Sequence, residues 1–325
     1  MLTVLHWLGG HAAWLLFGGV STGLLLPGLA ALAWPLVLPI TFLLLVVSVA
    51  RLDMGVALDH AKRPLTPLMV VAAQLVLAPL IVAGITGFLP LPPSLALALI
   101  LTATTTPLLS SPAFCLLLGL EGELALIVLI GAIVAVPFTM PLLALSLLGV
   151  EISLAPLQFM GRLVLFVGAG FAVAALLRWR IGATRLKLHA QALDGVNVVL
   201  LVLFAVGVMH GVTARFLAEP AQVGLFVAAA FLFNLALQAL GALLFLPAGR
   251  RAALTVGFLF GYRNMPLPLV VMGAAAPSDF ALYVALAQLP MYMLPAVMLP
   301  LYRRLLGRGN RRYEHGASGR KTTKK

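Results

Sequence analysis

The sequence predicts an all-α polytopic membrane protein of ten transmembrane helices, arranged as two five-helix repeats of opposite orientation. Three observations carry that prediction. Of 325 residues, 62% are hydrophobic and 9% are charged, whereas a soluble domain is about 45–50% apolar and about 25% charged. The apolar residues fall into ten runs, each near the roughly 20 residues that cross a bilayer. Lys and Arg collect in alternate connections. This composition excludes a soluble enzyme and a disordered chain. With one cysteine, Cys115, neither an intrachain disulfide nor a thiolate metal cluster can form.

The runs span about 12–27, 29–50, 66–88, 94–119, 123–148, 155–177, 193–214, 221–246, 251–274 and 278–303. They are apolar on all sides, unlike the short alternating strands of a membrane barrel. The first is short, and Pro27-Gly28 parts it from the second. Arg51, Lys62 and Arg63 follow the second run. Arg178, Arg180, Arg185 and Lys187 follow the sixth, and Arg250 and Arg251 the eighth. The tail from Arg303 carries nine more. Eighteen of the 21 basic residues thus follow even-numbered runs, and only Arg215 follows an odd one. The positive-inside rule then places both termini in the cytoplasm of a multi-pass inner (plasma) membrane protein. The first residues lack a basic stretch and a small-residue cleavage site, so a cleaved leader is not expected. His6, Trp7, His11 and Trp14 suit a membrane interface. The basic tail, 304–325, is expected to be disordered and to touch anionic lipid rather than nucleic acid.

Five runs precede the connection 149–154 and five follow it, which divides the chain into 1–148 and 149–303. Halves with an odd number of crossings are inverted relative to one another. That is a transporter arrangement, with the site where interrupted helices meet near the midplane. The fourth run of each half carries the expected polar, Pro-containing stretch. Run four reads Thr102-Ala-Thr104-Thr105-Thr106-Pro107, then Ser110-Ser111-Pro112. Run nine reads Gly261-Tyr262-Arg263-Asn264-Met265-Pro266. Proline removes a helix hydrogen bond and clashes with the preceding turn, so breaks are expected at Pro107 and Pro112 and at Gly261 and Pro266.

The other two basic residues, Arg162 and Arg263, lie inside runs six and nine. Arg263 is twelve residues from Arg251, roughly 18 Å along a helix, too far to snorkel to the surface. A central Arg costs at least ~2.5–3.5 kcal/mol. No carboxylate occupies the middle of a run, and the nearest, Asp194, sits near the start of run seven as its expected cap. Arg263 is therefore expected to meet a small-molecule anion, an amide cage or helix carbonyls. The candidate substrate and ion site is Arg263, Asn264, Gln74, Ser110, Ser111, Tyr262 and Thr106. No cofactor or metal site is expected.

Four stretches carry a family resemblance. Arg63-Pro64 is followed by Gln74 and Pro79-Leu80. Leu118-Gly119-Leu120-Glu121-Gly122-Glu123 follows run four, and Pro137 and Pro141 sit in run five. Asn234, Gln238 and Gly241 lie in run eight, and Gly261-Tyr262-Arg263-Asn264-Met265 in run nine. In order and spacing these resemble the bile acid:sodium symporter (BASS) superfamily, as a divergent bacterial-type member, over about 12–303. The resemblance implies a panel unit of helices one, two, six and seven. It implies a core unit of three, four, five, eight, nine and ten, with four and nine broken and crossing. Substrate would bind between panel and core, and transport would proceed by alternating access.

The departures concern sodium, which needs several oxygen ligands. The family's run-nine Glu aligns with Leu259 and its Gln with Arg263. Hydroxyl positions of run five fall near Ala132, Ala135 or Val136, and the Ser-Asn pair of run four near Ser111-Pro112-Ala113. Gln74 is kept, and so is the adjacent Asn264. A guanidinium keeps its charge and offers five donors, so Arg263 is expected to stand in for a coupling ion. The expected function is secondary transport of a small or amphipathic organic anion, not sodium-coupled in the usual way. The alternatives are a sodium-coupled bile acid or organic acid symporter and a non-transporting sensor on the same fold. A cation–proton antiporter would want carboxylates at the crossing, and an arsenite exporter a polar setting for Cys115. An intramembrane enzyme would want paired His or Asp, so no enzymatic activity is expected. Proton coupling would fall to Asp194 or His210.

Overall fold

The computed structural model describes residues 12–51, 65–148 and 155–307, without the side chains of 12–14, 183 and 187. His6, Trp7, His11, Lys62, Arg63, Pro64 and the tail from Arg308 lie outside the described residues. The first three helices are α1 (Ala12–Leu25), α2 (Pro27–Arg51) and α3 (Leu65–Phe88). Run four yields two helices, α4 (Pro93–Ala103) and α5 (Ser111–Leu117). Then come α6 (Gly122–Leu148), α7 (Pro156–Ile181), α8 (Ala190–Ala218) and α9 (Pro220–Leu244), with a short helix, Ala183–Leu188, between α7 and α8. Run nine also yields two, α10 (Arg250–Gly261) and α11 (Pro266–Met272), and α12 (Ser278–Leu306) ends the described chain. Among the described residues no strand forms; a single antiparallel bridge joins Pro107 to Arg263.

The protein is a helical, multi-pass membrane protein. Seven helices, α2, α3, α6, α7, α8, α9 and α12, are long and apolar enough to cross a bilayer. The other three expected runs give shorter pieces among the described residues, because α1 is described only from Ala12 and two runs are interrupted. The burial pattern suits lipid. Phe88 is 92% exposed and Leu25 79%, while Gln74, Thr104, Thr105, Thr106, Ser111 and Arg263 are fully buried. Apolar side chains face outward and polar ones inward, as lipid requires of a bundle whose polar groups must find partners inside.

The prolines divide into two sorts. Pro112 and Pro266, expected at helix breaks, sit where helix resumes after each interruption, in the first turn of α5 and α11. The first-turn N–H has no intrahelical acceptor, so its loss costs nothing there. Pro137 and Pro141 lie within α6, and Pro295 and Pro300 within α12, without ending either. The expected cap role of Asp194 is corrected. α8 begins at Ala190, with His189 before it. Asp194 is therefore in the second turn, where it pairs with Arg51 of α2 at 2.5 Å.

The helices pack closely with one another, and α6 and α7 lie side by side. α8 lies against α1 and α2, and α2 against α7. α3 lies beside α4 and α6, α5 beside α6, and α9 beside α10. The α9–α10 contact is close because glycines line it. A Cβ on Gly257 would stand 2.6 Å from the Gln238 carbonyl oxygen, and one on Gly261 2.8 Å from that of Asn234. Small residues allow such backbone approach in membranes, where dispersion and hydrogen bonds replace the hydrophobic effect. Gly257→Val should therefore lower stability by about 1–3 kcal/mol through overpacking. Thermal unfolding in detergent checks this against Gly224→Val, whose added Cβ meets nothing within 4 Å.

Candidate functional site

The last carbonyls of α10 would face hydrocarbon if α10 simply stopped, and each instead has a partner. Phe258 O accepts from the Tyr262 backbone N–H at 3.0 Å. Leu259 O accepts from Gln74 Nε2 at 2.8 Å. Phe260 O accepts from Arg263 Nε at 2.7 Å, and Gly261 O from Asn234 Nδ2 at 2.8 Å. Tyr262 O accepts from the Leu108 backbone N–H at 2.9 Å, and the Asn264 N–H donates to Thr106 O at 2.8 Å. These last two bonds join the two helix breaks back to back.

The α4 break is closed by its threonines. Thr104 Oγ1 donates to Leu101 O at 2.7 Å and Thr105 Oγ1 to Thr102 O at 2.8 Å. Ser111 Oγ bonds Leu108 O across the start of α5. Two helix C-terminal ends thus converge, and each carries partial negative charge.

Arg263 lies between them, fully buried. Its Nη1 donates to Thr105 O at 2.9 Å and to Gln74 O at 3.2 Å. The guanidinium carbon stands 5.4 Å from the Phe260 ring centroid, within cation–π range. Gln74 O is free to accept for a local reason. Residues Ala73–Leu77 of α3 form a π turn, in which the Ala78 N–H bonds Ala73 O rather than Gln74 O. The next residue that could serve Gln74 O is Pro79, which has no N–H. The sequence thus leaves one carbonyl open in mid-helix, and Arg263 fills it.

Behind the cage, Gln238 Nε2 donates to Asn234 Oδ1 at 2.6 Å, and Tyr302 Oη to Gln238 Oε1 at 2.7 Å. Tyr262 stacks on Phe258 at 4.1 Å between centroids. Gln74 Oε1, Thr106 Oγ1, Tyr262 Oη and Arg263 Nη2 are buried without a hydrogen-bond partner.

The expected site residues are therefore split. Arg263, Gln74, Thr106 and Tyr262 belong to the sealed cage, with Ser111 closing the turn into α5. Asn264 and Ser110 instead line a separate cavity of about 50 Å³. Its other walls are α2 through Thr41 and Ser48, α8 through Asn197 and Phe204, and α12 through Gln288 and Tyr292. Arg263 is not among its lining residues, and neither is any charged side chain. Asn197, Gln288 and Tyr292 were missed from sequence. The available signal was a polar residue within an apolar run, and for Gln288 and Tyr292 a spacing of one helical turn. His210 is exposed near Trp34, at 5.9 Å between rings. Cys115 is fully buried among apolar neighbours. The Gly119–Glu121 turn, part of the second motif, holds α10 in place. Arg251 Nε donates to Gly119 O at 2.9 Å, and the Glu121 N–H to Thr255 Oγ1 at 3.0 Å.

No family model matches the chain, and no curated protein does either. Arg263→Leu should strip donors from three buried carbonyls, at about 1–3 kcal/mol each. The protein should lose several kcal/mol of stability, while Asn264→Leu, at the cavity wall, should lose about 1 kcal/mol or less. Denaturant midpoints in detergent compare the two.

Proposed function

We propose that this chain is a secondary transporter working by alternating access on a BASS-like fold, with Arg263 built in where relatives of that design would bind a coupling cation. The observation that carries the reading is the cage itself. Two interrupted helices pair through their breaks, and a fixed guanidinium takes three carbonyls from α3, from the α4 break and from α10. Interrupted helices whose ends bind ions and solute at mid-membrane are a transporter device. Ten crossings follow if α1, the α4–α5 pair and the α10–α11 pair each cross once. The inverted halves are then 1–148 and 149–303, with both termini on the cytoplasmic side of the plasma membrane. The panel is α1, α2, α7 and α8, and the remaining helices are the core. The cavity between Asn197 of α8 and Asn264 of the α10 break is the solute site.

The sequence led to the expectation of an anionic substrate at this guanidinium, which gives Nε and Nη1 to carbonyls and keeps Nη2 unpartnered inside the cage. The fixed charge supports a different consequence, independence from sodium. A dissociable cation and Arg263 would compete for the same oxygens, and the tethered one needs no concentration to stay bound. Uptake or counterflow in proteoliposomes should be equal in sodium and in choline buffers. Sodium-dependent uptake that disappears in Gln74→Leu or Asn264→Leu would overturn the reading.

Polar cross-links among the described residues support a closed side away from the basic loops. Near the basic loops, several of those among the described residues join helices of the same unit. Arg51 pairs with Asp194, Arg178 Nη1 donates to Ala50 O, and Arg250 Nη1 to Leu305 O. On the opposite side they join panel to core. Arg215 of α8 pairs with Asp279 of α12 at 2.7 Å, and its Nη2 donates to Gln222 Oε1 of α9 at 3.1 Å. Arg162 of α7 also donates to Met272 O of α11 at 3.4 Å. Asp279→Ala should therefore favour opening away from the cytoplasm. A cysteine placed at Ser48, with Cys115 replaced by Ala, should then react less with an impermeant maleimide added from the cytoplasmic side.

A further inference from the structure

The cavity at the crossing says more than that a solute binds there; resting on the transporter reading, we infer that its solute is a small, uncharged molecule bearing both hydrogen-bond donors and acceptors, such as an amide or a polyol. Three observations lead to this class. The first is charge. No lining side chain is ionic, and the nearest buried cation, Arg263, is turned into the carbonyl cage. An anion entering this space would lose its hydration with no cation to replace it, a cost of several kcal/mol in proteins. An uncharged solute exchanges water's hydrogen bonds for those of the wall.

The second observation is the kind of polar group on the wall. Asn197 Oδ1 and Tyr292 Oη are buried and have no internal partner. Buried polar atoms are nearly always satisfied, and each exception calls for a missing partner. Both residues line the cavity, with these two atoms covered in the described conformation. Around them, Ser48, Ser110, Asn264 and Gln288 bring hydroxyls and primary amides. Amides and hydroxyls offer both donors and acceptors. A carboxylate can only accept, so it cannot serve an amide oxygen. A carboxamide or a polyol can both donate to Asn197 and accept from Tyr292.

The third observation is size. The space is small, about 50 Å³. That admits a solute of a few heavy atoms, while Leu44, Leu201, Phe204 and Met291 supply apolar wall for a short carbon chain.

Isosteric pairs differing only in charge test the class: acetamide against acetate, and lactamide against lactate. Each is added to purified wild type, Tyr292→Phe and Asn197→Leu, with thermal unfolding as the readout and counterflow of labelled lactamide as the second measurement. Tyr292→Phe removes one oxygen and keeps the ring, so it remains informative if Asn197→Leu folds poorly. The expected result is a higher unfolding temperature with the amide than with its acid. That shift, and the counterflow, should be lost in both variants. An acid that stabilises as well as its amide, with the effect still lost in the variants, overturns the uncharged class and leaves the transporter reading standing. Shifts unchanged by both variants place the solute elsewhere and overturn both the inference and the cavity as solute site. No shift from any of the four compounds also overturns the inference, while the sodium measurement tests the transporter reading by itself.

Discussion

A helix that stops inside a bilayer leaves its last carbonyls without water to bond, and this chain has two such stops beside each other. The constraint is severe, because an unpartnered backbone group in hydrocarbon costs several kcal/mol. Everything near the crossing can be understood as a supply of donors. Threonine hydroxyls serve the α4 end, amide side chains from α3 and α9 serve the α10 end, and the two breaks serve each other through backbone N–H groups. What remains is served by Arg263. The glycines of the α9–α10 contact belong to the same logic. Only with no side chain at Gly261 can Asn234 come near enough to bond that residue's carbonyl.

The charge of Arg263 also has a local answer. No carboxylate partners it in the described hydrogen bonds. Two helix C-termini supply partial negative charge, and a π turn adds one full carbonyl oxygen. Pro79 is central to that last contribution. In an ordinary helix it would be a defect, but here it keeps Gln74 O available. The α3 irregularity and the α10 break are therefore two parts of one device, although 189 residues separate Gln74 from Arg263.

Much of this was legible in the residues, and the misses are instructive. Composition gave the helical membrane class, because apolar residues in such excess cannot be hidden in a soluble core. The polar, Pro-containing stretches located both interruptions, since a run that includes Thr104-Thr105-Thr106-Pro107 has no apolar reason to be helical throughout. Pro112 and Pro266 mark where helix resumes rather than where it stops, because proline's effect depends on its position within a turn, which spacing does not reveal. Pro137 and Pro141 show the converse. Asp194 was misplaced by a helix start three residues earlier than the apolar run suggested. Arg263 was legible as buried and important, but its direction was not. Sequence can say that a guanidinium needs oxygen, not whether protein or solute provides it. Asn197 and Tyr292 escaped for a similar reason, because a polar residue inside an apolar run signals a polar neighbour without saying which.

A cation fixed by a covalent bond has an energetic consequence that a diffusible one does not. If the core shifts across the membrane, the charge of Arg263 moves through part of the field, at about 2.3 kcal/mol per elementary charge per 100 mV for a full crossing. Membrane voltage would then bias which face the empty protein presents. The return stroke carries the same charge back over the same distance, so its electrical work cancels around the cycle. A bound ion that dissociates on one side escapes this cancellation, and a side chain cannot. With Arg263 alone in that role and an uncharged cargo, voltage would set the resting orientation and the solute's own gradient would set the direction of net flow.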